Sequence, residues 1–79
     1  MSDTLTGTLL SDPEEKEGDR YTGATATLEE DGGAVWSIAA WNETGEILKE
    51  YATGDRLALS GQITDMDRNR FTAYHIEEA

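Results

Sequence analysis

Apolar and polar residues alternate along most of the chain in short runs separated by turn residues, a pattern typical of β-strands. The charged segment 11–19 and the Asp31-Gly32-Gly33 turn separate the first three runs. Because the runs are short and the chain has 79 residues, we expect one mainly β domain with one small core. The five predicted strands cover residues 4–10, 21–28, 34–41, 56–63 and 70–76.

The alternation also predicts which side chains of each strand face the core. In the third strand, Trp36 and Ile38 share one face, and Trp41 falls on the other. We therefore predict that Trp36 is buried and that Trp41 points outward. In the fifth strand the pattern is ambiguous, because Phe71 and Ile76 have opposite positions in the alternation, and we expect Ile76 to be buried.

A short amphipathic helix is predicted between the third and fourth strands. Asn42 is a favourable N-cap residue, and Gly54 can adopt the left-handed conformation common after a helix end. Ile47 and Tyr51 lie one turn apart beside Leu48, which gives the helix a narrow apolar face. We expect that face to cover the open end of a barrel.

The order of these elements predicts the fold. Glycines lie inside several strands, where they often mark the sharp bends that a small closed sheet requires. A five-stranded Greek-key barrel with a helix between strands three and four is the oligonucleotide/oligosaccharide-binding (OB) fold. We predict one mainly β OB-fold domain over residues 1–79.

The charge balance limits the classes of ligand. The chain has 17 acidic and 6 basic residues and a formal net charge of −11. Such a field disfavours polyanions at long range. It is compatible with a solvated acidic surface suited to a salty cytoplasm, with an acidic face for a basic protein partner, or with imitation of nucleic acid.

Catalytic and metal chemistry find no support in the sequence. There is no cysteine, so disulfides and thiolate zinc sites are excluded. His75 is the only histidine and has no recognisable catalytic partners, and the run 65–69 lacks the glycine and glutamate of a calcium loop. We therefore expect a protein that is not an enzyme and that has no metal and no cofactor.

The sequence also favours a cytoplasmic location. Its first residues lack the basic and apolar regions of a signal peptide. No apolar run approaches the roughly 18–20 residues that span a bilayer. We therefore expect no association with a membrane.

Three segments resemble the bacterial single-stranded DNA-binding protein family, together with its shorter relatives, the primosomal replication protein N group. They are "LTGTLLSDPE", "VWSIAAWNETGEILKEYATGDRLALSGQI" and "RFTAYHIEE". The resemblance implies that single-stranded DNA lies across the sheet, with aromatic rings stacking on bases and basic side chains meeting phosphates.

The resemblance is incomplete at the positions that matter for affinity. The aromatic residue at the end of the family's third strand falls at Trp41, but its other aromatic there falls at Val35 and a basic residue falls at Ser37. The long basic hairpin is shortened to residues 64–70, and the family's acidic-tipped tail has no counterpart before Ala79. These departures imply weak binding.

The candidate nucleic-acid-binding residues are therefore aromatic and basic. Trp41 is the leading stacking residue, since every base offers a π-face. We expect the last hairpin to bring arginines over the Trp41 face, where they would form a local positive patch. The complete predicted set is Trp41, Tyr21, Phe71, Tyr74, Arg20, Arg56, Arg68 and Arg70.

Alternatives to weak DNA binding stay open at this point. The domain could be an assembly module whose carboxylates, such as Glu29, Glu30 and Asp31, meet a basic protein. It could also be a DNA binder adapted to high salt. A homodimer could form through the edge of the threonine-rich first strand, since exposed edges pair readily.

Overall fold

The strands and the helix follow the predicted order, with one strand added. The structure is a computed structural model that describes residues 2–79. Over these residues the elements are β1 (Asp3–Leu9), β2 (Glu14–Glu17), β3 (Thr22–Glu30), β4 (Val35–Trp41), α1 (Asn42–Leu48), β5 (Arg56–Asp65) and β6 (Arg70–Glu78).

The sheet forms a closed barrel. Its strand order is β1-β5-β6-β4-β3-β2, and an additional pairing of β1 with β3 joins the two sides. Only the pairing of β4 with β6 is parallel; the other pairings within residues 2–79 are antiparallel. A five-stranded barrel with its helix between β4 and β5 confirms the predicted OB fold.

The added strand β2 corrects the prediction that the whole segment 11–19 is a solvated break. Leu9 pairs with Leu28 and Glu14 pairs with Thr25, so the four residues 10–13 lie opposite only the two residues 26–27 of β3. The chain bulges outward there and then returns to β3. All β2 side chains are exposed. The strand forms nevertheless, because its main-chain pairing with β3 requires no buried side chain. The charged, fully exposed residues of β2 therefore gave no sequence signal of a strand.

The barrel interior is entirely apolar among the described residues. Trp36, Ile38 and Ala40 of β4 point inward, as the alternation predicts. Trp36 packs edge-to-face on Phe71, with ring centroids 6.4 Å apart. The remaining buried residues are Leu5, Leu9, Ala24, Ala26, Leu28, Leu48, Leu57, Leu59, Ala73 and Ile76.

A β-bulge in β6 explains why its sequence pattern is ambiguous. Tyr74 has no partner on β5, so the alternation shifts by one residue at this point. Phe71 and Ala73 face the core before the bulge, and Ile76 faces it afterwards. Tyr74 and His75 are both exposed. Burial of Ile76 is confirmed, and Phe71, one of the predicted stacking residues, is buried as well.

The helix is shorter than predicted. It ends at Leu48, and Gly54 adopts its positive φ of 94° in the later turn that precedes β5. Trp41 occupies the N-cap position, and no side chain caps the helix. Asn42 is instead the first helical residue, with a left-handed φ of 54°. No helix within residues 2–79 has the length and apolar character needed to cross a membrane.

Leu48 of α1 closes one end of the barrel. Its side chain is fully buried, whereas Ile47 is 38% exposed, so the predicted apolar face is centred one residue too early. Gly45 also faces the barrel. A Cβ atom at Gly45 would lie 2.8 Å from the Ala40 carbonyl oxygen and 2.9 Å from the Gly23 Cα. The helix therefore packs directly on the backbones of β3 and β4.

This close approach predicts an unusual response to Gly45→Ala. In an exposed helix the change stabilises by about 1 kcal/mol. Here the methyl group must push α1 away from two backbones, so we expect a loss of about 2 kcal/mol. Urea denaturation followed by circular dichroism measures it. A gain in stability would show that α1 does not pack in this way.

Candidate functional site

An open groove runs over the outer faces of β2, β3, β4 and β6. Its volume is about 620 Å³. The floor consists of small or hydroxyl-bearing side chains that alternate with the buried ones: Thr25, Thr27, Ser37, Ala39 and Thr72. Because these floor side chains are all small, a planar ring can approach them closely.

Trp41 lines the groove as a half-buried side chain. Gly23 pairs with Trp41 across the strands, and a Cβ atom at Gly23 would lie 2.5 Å from the indole Cε3. The Tyr21 ring, which is 50% exposed, packs edge-to-face on the indole with a centroid distance of 4.9 Å. The indole is thus held in place by its neighbours.

Three of the six cationic side chains are committed to ion pairs. Lys49 Nζ lies 3.0 Å from carboxylate oxygens of Glu15 and Glu46. Arg56 and Arg68 are paired as well, with Asp31 and Asp65 respectively, at 2.8 and 3.9 Å. The other three cations form no ion pair within residues 2–79, and they are Lys16, Arg20 and Arg70.

Two of the three unpaired cations lie in the groove, and the third lies in a neighbouring cavity. Lys16 and Arg70 line the groove together with Trp41, and Arg20 adjoins Tyr21 in the chain. Lys16 and Arg70 are balanced by Asp12 and Glu14, which also line the groove. The groove is therefore locally neutral although the protein carries a formal charge of −11.

Arg56 does not join this group. Its guanidinium donates two hydrogen bonds to Asp31, at 2.9 and 2.8 Å, which raise the pKa of Arg56 and lower that of Asp31. Asp31 follows the end of β3 that pairs with Val35, whereas Trp41 lies six residues farther along β4. This separation is about 20 Å. The prediction that Arg56 lies over the Trp41 face is therefore wrong.

Arg68 lies in the β5–β6 turn rather than in the groove. The Asp65 carboxylate accepts backbone N–H bonds from Asp67 and Arg68 at 3.1 and 3.2 Å. This local turn accounts for the acidic pattern of residues 65–69. The structure thus separates Arg68 from Arg70, which lies beside Ser37 on β4.

The remaining aromatic candidates differ in accessibility. Phe71 is 1% exposed and contacts Trp36 in the core, so its ring has no face free for a ligand. Tyr74 is 62% exposed, and its hydroxyl donates to Gln62 Oε1 at 3.2 Å. Ala40 of β4 pairs with Ala73 of β6. Trp41 and Tyr74 directly follow these two alanines, so they lie at the same level of the sheet.

The carboxylates proposed for a basic protein partner are partly engaged within the fold. Asp31 is paired with Arg56. Glu30 Oε1 accepts a hydrogen bond from the Trp36 indole N–H at 3.4 Å. Among the three candidates Glu29, Glu30 and Asp31, two therefore already have partners inside the domain.

Asp12 has a structural role beside the groove. Its Oδ1 accepts hydrogen bonds from the backbone N–H and the hydroxyl of Thr53, each at 2.9 Å. The backbone bond is the main reason that the pKa of Asp12 lies below its ordinary value. These bonds tie the β1–β2 bulge to the loop before β5.

The lowered pKa predicts a pH-dependent effect of Asp12→Asn. Ionised Asp12 stabilises the folded state above its unfolded pKa of about 3.9, and this contribution is lost as the pH falls through the lower folded value. Asp12→Asn should therefore lower the urea midpoint at pH 7 relative to wild type, with a difference that shrinks as the pH falls below that unfolded value. Glu78→Gln, at the exposed end of β6, controls for loss of one negative charge. Equal midpoints for the two variants at pH 7 would contradict this role.

Sequence reasoning missed Lys16 and the hydroxyl floor. Lys16 was overlooked because its strand, β2, was not predicted. Thr25, Thr27 and Ser37 could have been identified, since they alternate with the apolar residues of β3 and β4. Arg20, Tyr21, Trp41 and Arg70 are the predicted site residues that the structure places around the groove and its aromatic end.

Known structures with this fold include single-stranded DNA-binding proteins. The wild-type protein from Thermus aquaticus has a TM-score of 0.84 at 23% identity, over 99% of this chain and 39% of that one. A deletion mutant of that protein has a TM-score of 0.84 at 24% identity, over 99% of this chain and 40% of that one. An SSB domain from Synechococcus sp. has a TM-score of 0.85 at 14% identity, over 98% of this chain and 93% of that one.

These comparisons establish the OB fold. The chain spans about 40% of the Thermus aquaticus protein. No model of a known protein family matches the sequence, and no curated protein matches it significantly. The family that the sequence segments resemble is nevertheless the one that supplies these structural neighbours.

Proposed function

We propose that this protein binds single-stranded DNA weakly in the groove beside Trp41, mainly by base stacking. The observation that carries the proposal is the coincidence of three features on one face. The half-buried indole, the small hydroxyl-bearing floor and two cations without ion pairs, Lys16 and Arg70, all lie there. The structural neighbours are named as single-stranded DNA-binding proteins, which supports the same ligand class.

Stacking supplies the attraction. Each base that stacks on an aromatic side chain contributes roughly 1–3 kcal/mol, with little dependence on base identity. Trp41 is anchored by Tyr21 and by the Gly23 backbone, so it loses little freedom when a base binds. The threonine hydroxyls of the floor can donate to phosphate oxygens or base carbonyls, or accept from base amino groups.

Electrostatics makes the binding weak. At most three side chains, Lys16, Arg20 and Arg70, are available to meet phosphates. Three contacts give a slope of log K against log salt no steeper than about −2. The net charge of −11 repels the strand, and added salt screens that repulsion. The observed slope should therefore be shallower still.

Titration with oligothymidylate, followed by tryptophan emission, tests the proposal. We expect saturable quenching in the micromolar to millimolar range, and little effect from a duplex of the same length, whose bases are already stacked. Heparin at equal charge serves as a control for simple attraction to polyanions. Absence of quenching at millimolar strand, or equal competition by heparin, would exclude binding by base stacking.

A further inference from the structure

A second cavity adjoins the aromatic end of the groove. Its volume is about 490 Å³, and Tyr21, Arg20 and Asn42 line it. Trp41 lines the groove, Tyr21 lines the second cavity, and the two rings are in contact. The two cavities therefore adjoin each other at the Trp41–Tyr21 pair, within reach of the nucleotide next to one that stacks on Trp41.

The polar groups of this cavity are not used by the fold. Arg20 forms no ion pair within residues 2–79, and the Asn42 side chain makes no hydrogen bond to another described residue. These groups are thus available to a ligand.

The charge of the cavity favours a base over a phosphate. Glu17 and Asp19 also line it, against the single guanidinium of Arg20. Two carboxylates disfavour a phosphate group but accept hydrogen bonds from base amino groups. Cytosine offers an amino group with two donor hydrogens. Thymine offers only a ring N–H between two carbonyl oxygens, which the carboxylates would repel.

We propose that the cavity beside Tyr21 is a second nucleotide subsite that selects bases bearing an exocyclic amino group. This inference rests on the proposed function, since it takes the strand to be bound at Trp41. Tyr21 provides an aromatic wall for the base, and Glu17 and Asp19 accept from its amino group. The protein then prefers cytidine-containing strands over thymidine-containing strands of equal length.

Competition between (dC)8 and (dT)8 for wild-type protein tests the subsite at neutral pH, where both strands carry the same charge. We expect (dC)8 to bind about fivefold more tightly, the value of one typical net hydrogen bond. The double variant Glu17→Ala/Asp19→Ala should bind both strands more tightly but with a ratio near one. Glu77→Ala/Glu78→Ala removes the same charge from the exposed end of β6 and should keep the preference.

Failure of the inference is distinguishable from failure of the proposed function. Equal binding of the two strands by wild-type protein would overturn the selective subsite and leave DNA binding intact. A preference that survives Glu17→Ala/Asp19→Ala would also overturn it. If wild-type protein binds neither strand, the proposed function itself fails.

Discussion

Replacing Gly61 by alanine is expected to unfold the barrel or to remove most of its stability. A Cβ atom at Gly61 would lie 2.0 Å from the Thr72 carbonyl oxygen and 3.0 Å from the Ala73 Cα. Both atoms belong to the backbone of the paired strand β6, so no side-chain rotation can relieve the clash. We expect a loss of about 3 kcal/mol or more, within a total that is only about 5–15 kcal/mol for typical domains.

Gly32→Ala is the matched control. Gly32 lies in the β3–β4 turn, and no atom would lie within 4 Å of an added Cβ. We expect a change of less than about 1 kcal/mol, favourable because alanine reduces the entropy of the unfolded chain. Urea denaturation followed by circular dichroism measures both variants. If Gly61→Ala were as stable as Gly32→Ala, the strands β5 and β6 could not be paired as described.

Replacing Trp41 by leucine is expected to remove most of the affinity for single-stranded DNA. Leucine retains an apolar side chain but has no ring on which a base can stack. Loss of one or two stacked bases at roughly 1–3 kcal/mol each corresponds to a Kd at least about fivefold higher. Because this change deletes an emission reporter, the measurement is fluorescence anisotropy of a labelled oligothymidylate.

Two further variants make the Trp41 result specific. Trp41→Phe keeps an aromatic ring and should lose less affinity than Trp41→Leu. Val35→Ala, at the opposite end of β4, should bind as wild type does. The urea midpoint of each variant should stay close to that of wild type, since neither side chain is part of the buried core. Wild-type affinity in Trp41→Leu would show that no base stacks on this indole.

Strand alternation predicted the interior well where each strand has one buried face. Trp36 and Ile38 on β4 are buried as expected because the closed barrel enforces one inward face. The bulge at Tyr74 could not be predicted, since it depends on the register between β5 and β6. A pattern of period two has no means of signalling such a shift.

The candidate site was predicted only in part, for a related reason. The outward position of Trp41 follows from its own strand, so sequence alone could identify it. The positions of Arg56 and Lys16 depend on contacts between distant segments. Arg56 is held by Asp31, 25 residues away in sequence, and Lys16 reaches the groove through pairing of β2 with β3. Sequence proximity predicted neither result.

The most direct measurement follows the two indole N–H signals by NMR during addition of oligothymidylate. The chain has two tryptophans, so each assigned signal reports on one site. The Trp36 N–H donates to Glu30 and its ring is buried, which makes it an internal reference. Stacking in the groove predicts a saturable shift of the Trp41 signal while that of Trp36 stays in place. An unmoved Trp41 signal at saturating strand would contradict DNA binding in this groove.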